Sequence, residues 1–233
     1  MTYTIFTYAM DEAALSVCIR QIRRVDSRAF VAIFDDATHP LTTRPDCDLY
    51  KLTDWPRGGN LVGMPCIIGM LSCYMEAIDA AGSDRIVKID SDTMLLTLDG
   101  LKHADADAIG YESHETTMYA VGPCYSLARR AVMRVANYIY SRPWAAVRYP
   151  EDYTIFHIAM AVLRPDEWQL YPSPRGLIAG ITTGDAEEAE LLARSNLHFV
   201  HCGEPEIVKG QRRRRVRTDV AKAMLNLETA LTS

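Results

Sequence analysis

Residues 84–96 read DRIVKIDSDTMLL. Ile86, Val87 and Ile89 form a short apolar run of strand length, and Asp90-Ser91-Asp92 then ends it in a polar turn. In an open α/β sheet, ligands bind beyond the carboxyl ends of the strands, so chemistry is expected at this strand end. Two carboxylates one residue apart suit a hard divalent cation, which takes oxygen ligands and keeps positions open for phosphate. Read without chemistry, the same Asp-x-Asp is a solvated turn.

Upstream of that stretch, YTIFTYA (3–9) reads as a strand, and DEAALSVCIRQIRR (11–24) places Leu15, Cys18, Ile19 and Ile22 at helical spacing. AFVAIFDD (29–36) is a second strand, and CDLYKL (47–52) a third after the breakers in THPLTTRP. A helix is expected over 65–81, with Pro65 in its first turn, Gly82 at its end, and Cys66 and Cys73 on its buried face. Downstream, strands are expected at 106–111, 117–127 and 197–201, and helices at 129–140, 151–163, 185–194 and 216–231. The proline- and glycine-bearing stretch 164–184 reads mostly as loop. This alternation specifies one α/β domain with a mostly parallel mixed sheet covered by helices on both faces. Its nucleotide-binding half is expected over 1–97, an acceptor-side half over 98–211 and a basic C-terminal helix over 212–233.

Composition narrows the function. The 233 residues are 48% hydrophobic and 24% charged, which excludes a disordered or fibrous chain. A net charge of −5 argues against a surface built to grip nucleic acid. The charge is uneven, however: residues 209–222, with QRRRRVR inside them, carry +6 and the rest −11. Such a run is ordinarily a solvated surface or the start of a basic helix, and it also suits a phosphorylated or anionic partner. Apolar runs fall short of the roughly 20 residues a membrane span needs, and MTYTIFTYAM lacks a basic region ahead of an apolar core. The six cysteines form no C-x-x-C pair and read as reduced thiols, so a cytoplasmic location is expected.

One rival for the Asp-x-Asp fails on spacing. Dehalogenase-type phosphatases place Thr or Val two residues past the second Asp and near the N-terminus, whereas here Thr93 follows Asp92 directly. The order of the remaining pieces instead resembles nucleotide-sugar glycosyltransferases of the glycosyltransferase-A fold. VKIDSDTMLL resembles that fold's Asp-x-Asp strand end, and YAVGPCYSLARRAV its glycine loop before a helix. YPEDYTI resembles its x-Glu-Asp helix start, and LHFVHCG its late metal-ligand histidine. The four occur in the expected order, and the resemblance spans roughly residues 3–210.

The resemblance implies a set of roles. Asp92 is the direct ligand of Mn²⁺ (or Mg²⁺), and Asp90 meets the ribose or a metal-bound water, two assignments that can be exchanged. His201 completes the metal site, with His198 as the alternative: three apart on a strand, the two point to opposite faces, so only one is the ligand. Asp152, with Glu151 beside it, is the catalytic carboxylate, taking the proton of the acceptor hydroxyl as inverting members do, while retaining members also carry acidic residues here, so both stereochemical outcomes stay open. Carboxylates at a helix start are also favoured by the backbone dipole alone. Thr7, Tyr8 and Asp36 (or Asp35) lie where such a sheet meets nucleobase and ribose. Arg57 and Lys209 suit the diphosphate, and Gly122 lets the backbone approach the sugar or acceptor. Tyr119, Trp144 and Trp168 are ordinary core candidates, and His103, His114 and His157 structural or surface residues.

The expected activity is therefore metal-dependent transfer of a sugar from a nucleotide diphosphate sugar, with UDP the expected nucleotide, to a hydroxyl acceptor that is glycan, lipid, protein or nucleic acid. A nucleotidyltransferase would carry a Gly/Lys-rich loop after the first strand, where YAMDEAAL stands instead. That enzyme class, making or using nucleotide sugars, stays one alternative, and a non-catalytic nucleotide-sugar-binding protein of the same fold is the other.

Overall fold

The computed structural model describes residues 1–55, 63–101, 105–112, 122–142, 150–171, 176–178, 186–203, 206–208, 211–213 and 217–233. The first half runs β1 (Thr2–Thr7), α1 (Glu12–Val25), β2 (Phe30–Asp36), β3 (Leu49–Thr53), α2 (Met64–Ala81), β4 (Arg85–Ile89) and β5 (Thr93–Leu95). It continues through β6 (Ala108–Tyr111), β7 (Cys124–Ala128), α3 (Arg129–Ser141), α4 (Glu151–Val162) and β8 (Trp168–Tyr171). The last part comprises β9 (Gly176–Ile178), α5 (Ala186–Ala193), β10 (Phe199–His201), β11 (Glu206–Val208), β12 (Gln211–Arg213) and α6 (Arg217–Thr232).

Seven strands form the main sheet in the order β3-β2-β1-β4-β7-β6-β8. β7 is antiparallel to both of its neighbours, and the other pairings are parallel. Chain direction reverses its spread between β1 and β4, which makes the crevice at their carboxyl ends the topological switch point. Strand alternation sorts the core into two layers. Tyr3, Ile5, Val31, Ile33, Val87 and Ile89 pack against α1 and α6, whereas Phe6, Ala32, Phe34 and Ile86 pack against α2, α3 and α4. Burial of each such apolar side chain stabilises the fold by about 1.5–3 kcal/mol.

Local expectations hold where the signal is strong. Leu15, Cys18, Ile19 and Ile22 are all buried on α1. Pro65 opens α2, and Gly82 closes it at φ +59°, where a side chain would be strained, so that the Gly82 and Ser83 amides reach the last carbonyls. α2 is long and apolar enough to cross a membrane by length and composition, but its buried face belongs to the α2/α3/α4 core.

The structure corrects the sequence reading in four places. The first strand stops at Thr7, and Ala9–Asp11 form a 3-10 turn. The stretch expected as loop holds β8, a half-buried edge strand without clean alternation, and β9. β5 follows the Asp-x-Asp directly and is too short for a periodic signal. Part of the basic run forms the β11–β12 hairpin, so the C-terminal helix begins at Arg217 rather than 212. Of the strand expected at 117–127, residues 117–121 lie outside the described residues, 122–123 form a turn, and 124–127 belong to β7.

Candidate metal and catalytic centre

Two pairings bring the site together. β5 lies antiparallel to β10 with Thr93 opposite His201, and the Cys202 amide donates to the Asp92 carbonyl at 2.9 Å. This register carries the late histidine onto the Asp-x-Asp turn. One ligand atom each from Asp90, Asp92 and His201 lies within 4.8 Å of the others. His201 Nδ1 is 3.3 Å from Asp92 Oδ1 and 3.1 Å from Thr93 Oγ1. Asp92 and His201 are buried to 7% and 8% exposure. Gly203 closes over Asp92, and a Cβ there would lie 2.8 Å from Asp92 Cγ and collide with Oδ2. Two carboxylates and an imidazole in such a cradle fit a borderline divalent cation such as Mn²⁺.

His198 is elsewhere. Its Nδ1 hydrogen-bonds the Tyr111 hydroxyl at 3.0 Å, and its ring packs edge-on to Tyr111 and Tyr171. It is a packed core histidine one residue ahead of β10, and of the two it is His201 that reaches the aspartates.

The second pairing, β4 with β7, sets Ile89 opposite Cys124, so the loop before β7 returns to the same edge of the sheet, and the Asp90 amide donates to the Pro123 carbonyl at 3.0 Å. Beneath it lies a residue that sequence reasoning missed. Lys88, in the middle of β4, is 1% exposed, and its Nζ donates to Asp90 Oδ1 and the Gly122 carbonyl at 2.6 Å each. Glu151 Oε1 lies 2.9 Å from the same nitrogen. Burial opposes the ammonium, but Asp90 and Glu151 together hold its pKa above the ordinary lysine range. A lysine inside an apolar strand was the available signal, because such a cation must find carboxylate partners to offset several kcal/mol of desolvation.

The catalytic candidates separate in the same frame. Glu151 is 4% exposed and faces Lys88; burial pushes its carboxyl up to about 7 against the pull of that ammonium. Its carboxylate is thus turned to the ammonium of Lys88. Asp152, half-buried, is turned instead to Gly122. Burial raises its pKa and the Asp90 charge adds to this, while the Tyr153 and Gly122 amides and Lys88 pull it down. Gly122 permits that approach: a Cβ there would lie 2.9 Å from Asp152 Oδ2.

At the end of β1, Thr7 has a buried Oγ1 with no hydrogen-bond partner among the described residues. Tyr8 precedes the 3-10 turn, whose buried Asp11 accepts from Ser91 Oγ at 2.9 Å and so ties this turn to the Asp-x-Asp. Asp35 is sealed inside by the Leu41 amide and the Tyr50 hydroxyl, whereas Asp36, less buried, caps Thr38. Asp11 and Ser91 were also missed, since neither carries a spacing signal. Trp168 packs beside the α2/α3/α4 core, and His157 stacks on Tyr153. Arg57, Lys209, Tyr119, Trp144, His103 and His114 lie outside the described residues.

Comparison with solved structures places this geometry in a known architecture. The galactosyltransferase LgtC, crystallised with donor and acceptor sugar analogues, matches 100% of this chain and 97% of its own at TM-score 0.54 and 12% identity. A glycosyltransferase involved in glycosylation of the major capsid of PBCV-1 matches 96% and 98% at TM-score 0.53 and 10% identity. GlyE of Streptococcus pneumoniae TIGR4 matches at TM-score 0.51 and 10% identity, this chain covering 62% of GlyE. The chain therefore has a glycosyltransferase fold. No protein-family model and no curated protein matches the sequence.

Proposed function

We propose that this protein is a metal-dependent glycosyltransferase that moves a sugar from a nucleotide diphosphate sugar, UDP-linked in the first instance, to a hydroxyl acceptor. The observation that carries the reading is the convergence of Asp90, Asp92 and His201 at the carboxyl end of β4, linked through Lys88 to Glu151 at the α4 start. The glycosyltransferase fold supports it.

In this reading Asp92 and His201 hold Mn²⁺ (or Mg²⁺), and Asp90 orients the donor beside it. The bound cation supplies stabilisation of the charge that builds on the departing diphosphate. Asp152 takes the acceptor hydroxyl's proton, the role a base plays in an inverting transfer. Thr7, with its hydroxyl unpartnered among the described residues, and Asp36 lie at strand ends suited to the nucleoside. Arg57 and Lys209 are assigned to the diphosphate on chemistry alone. Five of the six cysteines are buried and none is in a disulfide, which is compatible with a cytoplasmic enzyme.

The test is incubation with a panel of UDP- and GDP-sugars and Mn²⁺, using the wild type and Asp92→Ala. Metal-dependent release of nucleoside diphosphate by the wild type alone is expected. Absence of both nucleotide release and nucleotide binding would overturn the proposal.

A further inference from the structure

We infer that Lys88 is a positioning residue that locks the metal-binding turn to the catalytic helix; the inference rests on the proposed function and deepens it. An ammonium has three N–H donors, and Lys88 Nζ faces three acceptors on three separate segments. These are Asp90 Oδ1 at 2.6 Å in the Asp-x-Asp turn, the Gly122 carbonyl at 2.6 Å before β7, and Glu151 Oε1 at 2.9 Å at the α4 start. From Lys88, two routes lead to Asp152. One is covalent, because Glu151 is its neighbour. The other runs through a single residue, Gly122, whose carbonyl accepts from Lys88 and whose backbone packs so close to the Asp152 carboxylate that a Cβ there would lie 2.9 Å from Oδ2.

The arrangement also divides labour within the turn. Asp90 Oδ1 is committed to the ammonium, whereas Asp92 lies against His201 under Gly203. Lys88 therefore fixes the Asp90 rotamer, sets Asp152 relative to it, and places one positive charge at the edge of the cation site. Packing alone does not call for such a group, since well-packed apolar side chains commonly replace a buried ion pair without loss of stability.

Three variants test this, with Mn²⁺ alone as the probe in calorimetric titration, turnover of the active donor, and thermal melting as the control for folding. Lys88→Met removes a repelling charge and is expected to tighten Mn²⁺ binding on the order of tenfold while lowering kcat about 100-fold at little-changed KM. Lys88→Arg keeps the charge but not the three-way geometry, so Mn²⁺ affinity stays near wild type and kcat still falls. Lys88→Met combined with Glu151→Gln leaves no uncompensated buried charge and preserves net charge; it decides the matter should Lys88→Met alone not fold. It is expected to melt near wild type, bind Mn²⁺ normally and lose turnover about 100-fold. Wild-type kcat in the double variant, or unchanged Mn²⁺ affinity in folded Lys88→Met, overturns the inference while leaving the proposed function intact. If no donor is turned over, the Mn²⁺ comparison alone decides. A wild type that binds no Mn²⁺ overturns the inference and the proposed function together.

Discussion

Asp90 and Asp92 stand two residues apart, yet the regions on either side of them solve opposite electrostatic problems. Toward α2, α3 and α4, the carboxylates of Asp90 and Glu151 meet a resident ammonium, and Tyr74 and Tyr125 join hydroxyls at 2.7 Å behind it. Toward the β5–β10 sheet, Asp92 meets an imidazole and a glycine. The first side carries its own cation in the chain, and the second is shaped to receive one. Charge balance thus distinguishes two aspartates that the motif treats alike.

The sharpest break in this comparison is Asp92→Ala, expected to lower Mn²⁺-dependent donor cleavage by roughly 10³-fold, read as nucleotide release. Asp90→Ala, which leaves Asp92 and His201 in place, is expected to weaken Mn²⁺ binding less than Asp92→Ala does. Next in size is Asp152→Asn, with kcat lower by about 10²–10⁴-fold and Mn²⁺ affinity unchanged in titration. Asp152 also gives the comparison a pH signature. Burial raises its pKa, and a base must be deprotonated, so kcat/KM falls with falling pH on a limb above the usual aspartate range. Asp152→Asn abolishes that limb in a pH–rate profile.

Smaller still is Gly203→Ala, whose added Cβ would lie 2.8 Å from Asp92 Cγ. It is expected to weaken Mn²⁺ binding about tenfold, short of the 10²-fold that a full ångström of displacement costs, with little change in melting temperature. The least effect belongs to His198→Phe. Losing the hydrogen bond with Tyr111 costs about 1 kcal/mol in denaturant titration, and Mn²⁺ affinity stays at wild type, in contrast to His201→Ala.

Much of the fold was legible because its signals are local. Apolar spacing placed α1, Pro65 and Gly82 bracketed α2, and an apolar run ending in aspartates marked β4 and the chemistry beyond it. Short elements escaped for the same reason. β5, β9, β11 and β12 are each three residues long, too few for a period to register, and pairing with distant segments holds them in place. In the site, Asp92, Asp152 and the late histidine pair were visible as residue types. Lys88 lies inside DRIVKID without a spacing signal of its own, because two of the acceptors it meets, the Gly122 carbonyl and Glu151, come from distant segments.

What the sequence by itself determined is the order of helices and strands and the strand end where carboxylates gather, since periodicity, caps and breakers act within a few residues of one another. Only the tertiary structure decided which histidine meets Asp92, because the register of β5 on β10 sets Thr93 against His201 and turns His198 into the core. It also decided that Glu151 and Asp152, adjacent in sequence, divide between the Lys88 ammonium and the Gly122 backbone. A buried charge is governed by what packs against it, and those neighbours come from segments far away along the chain.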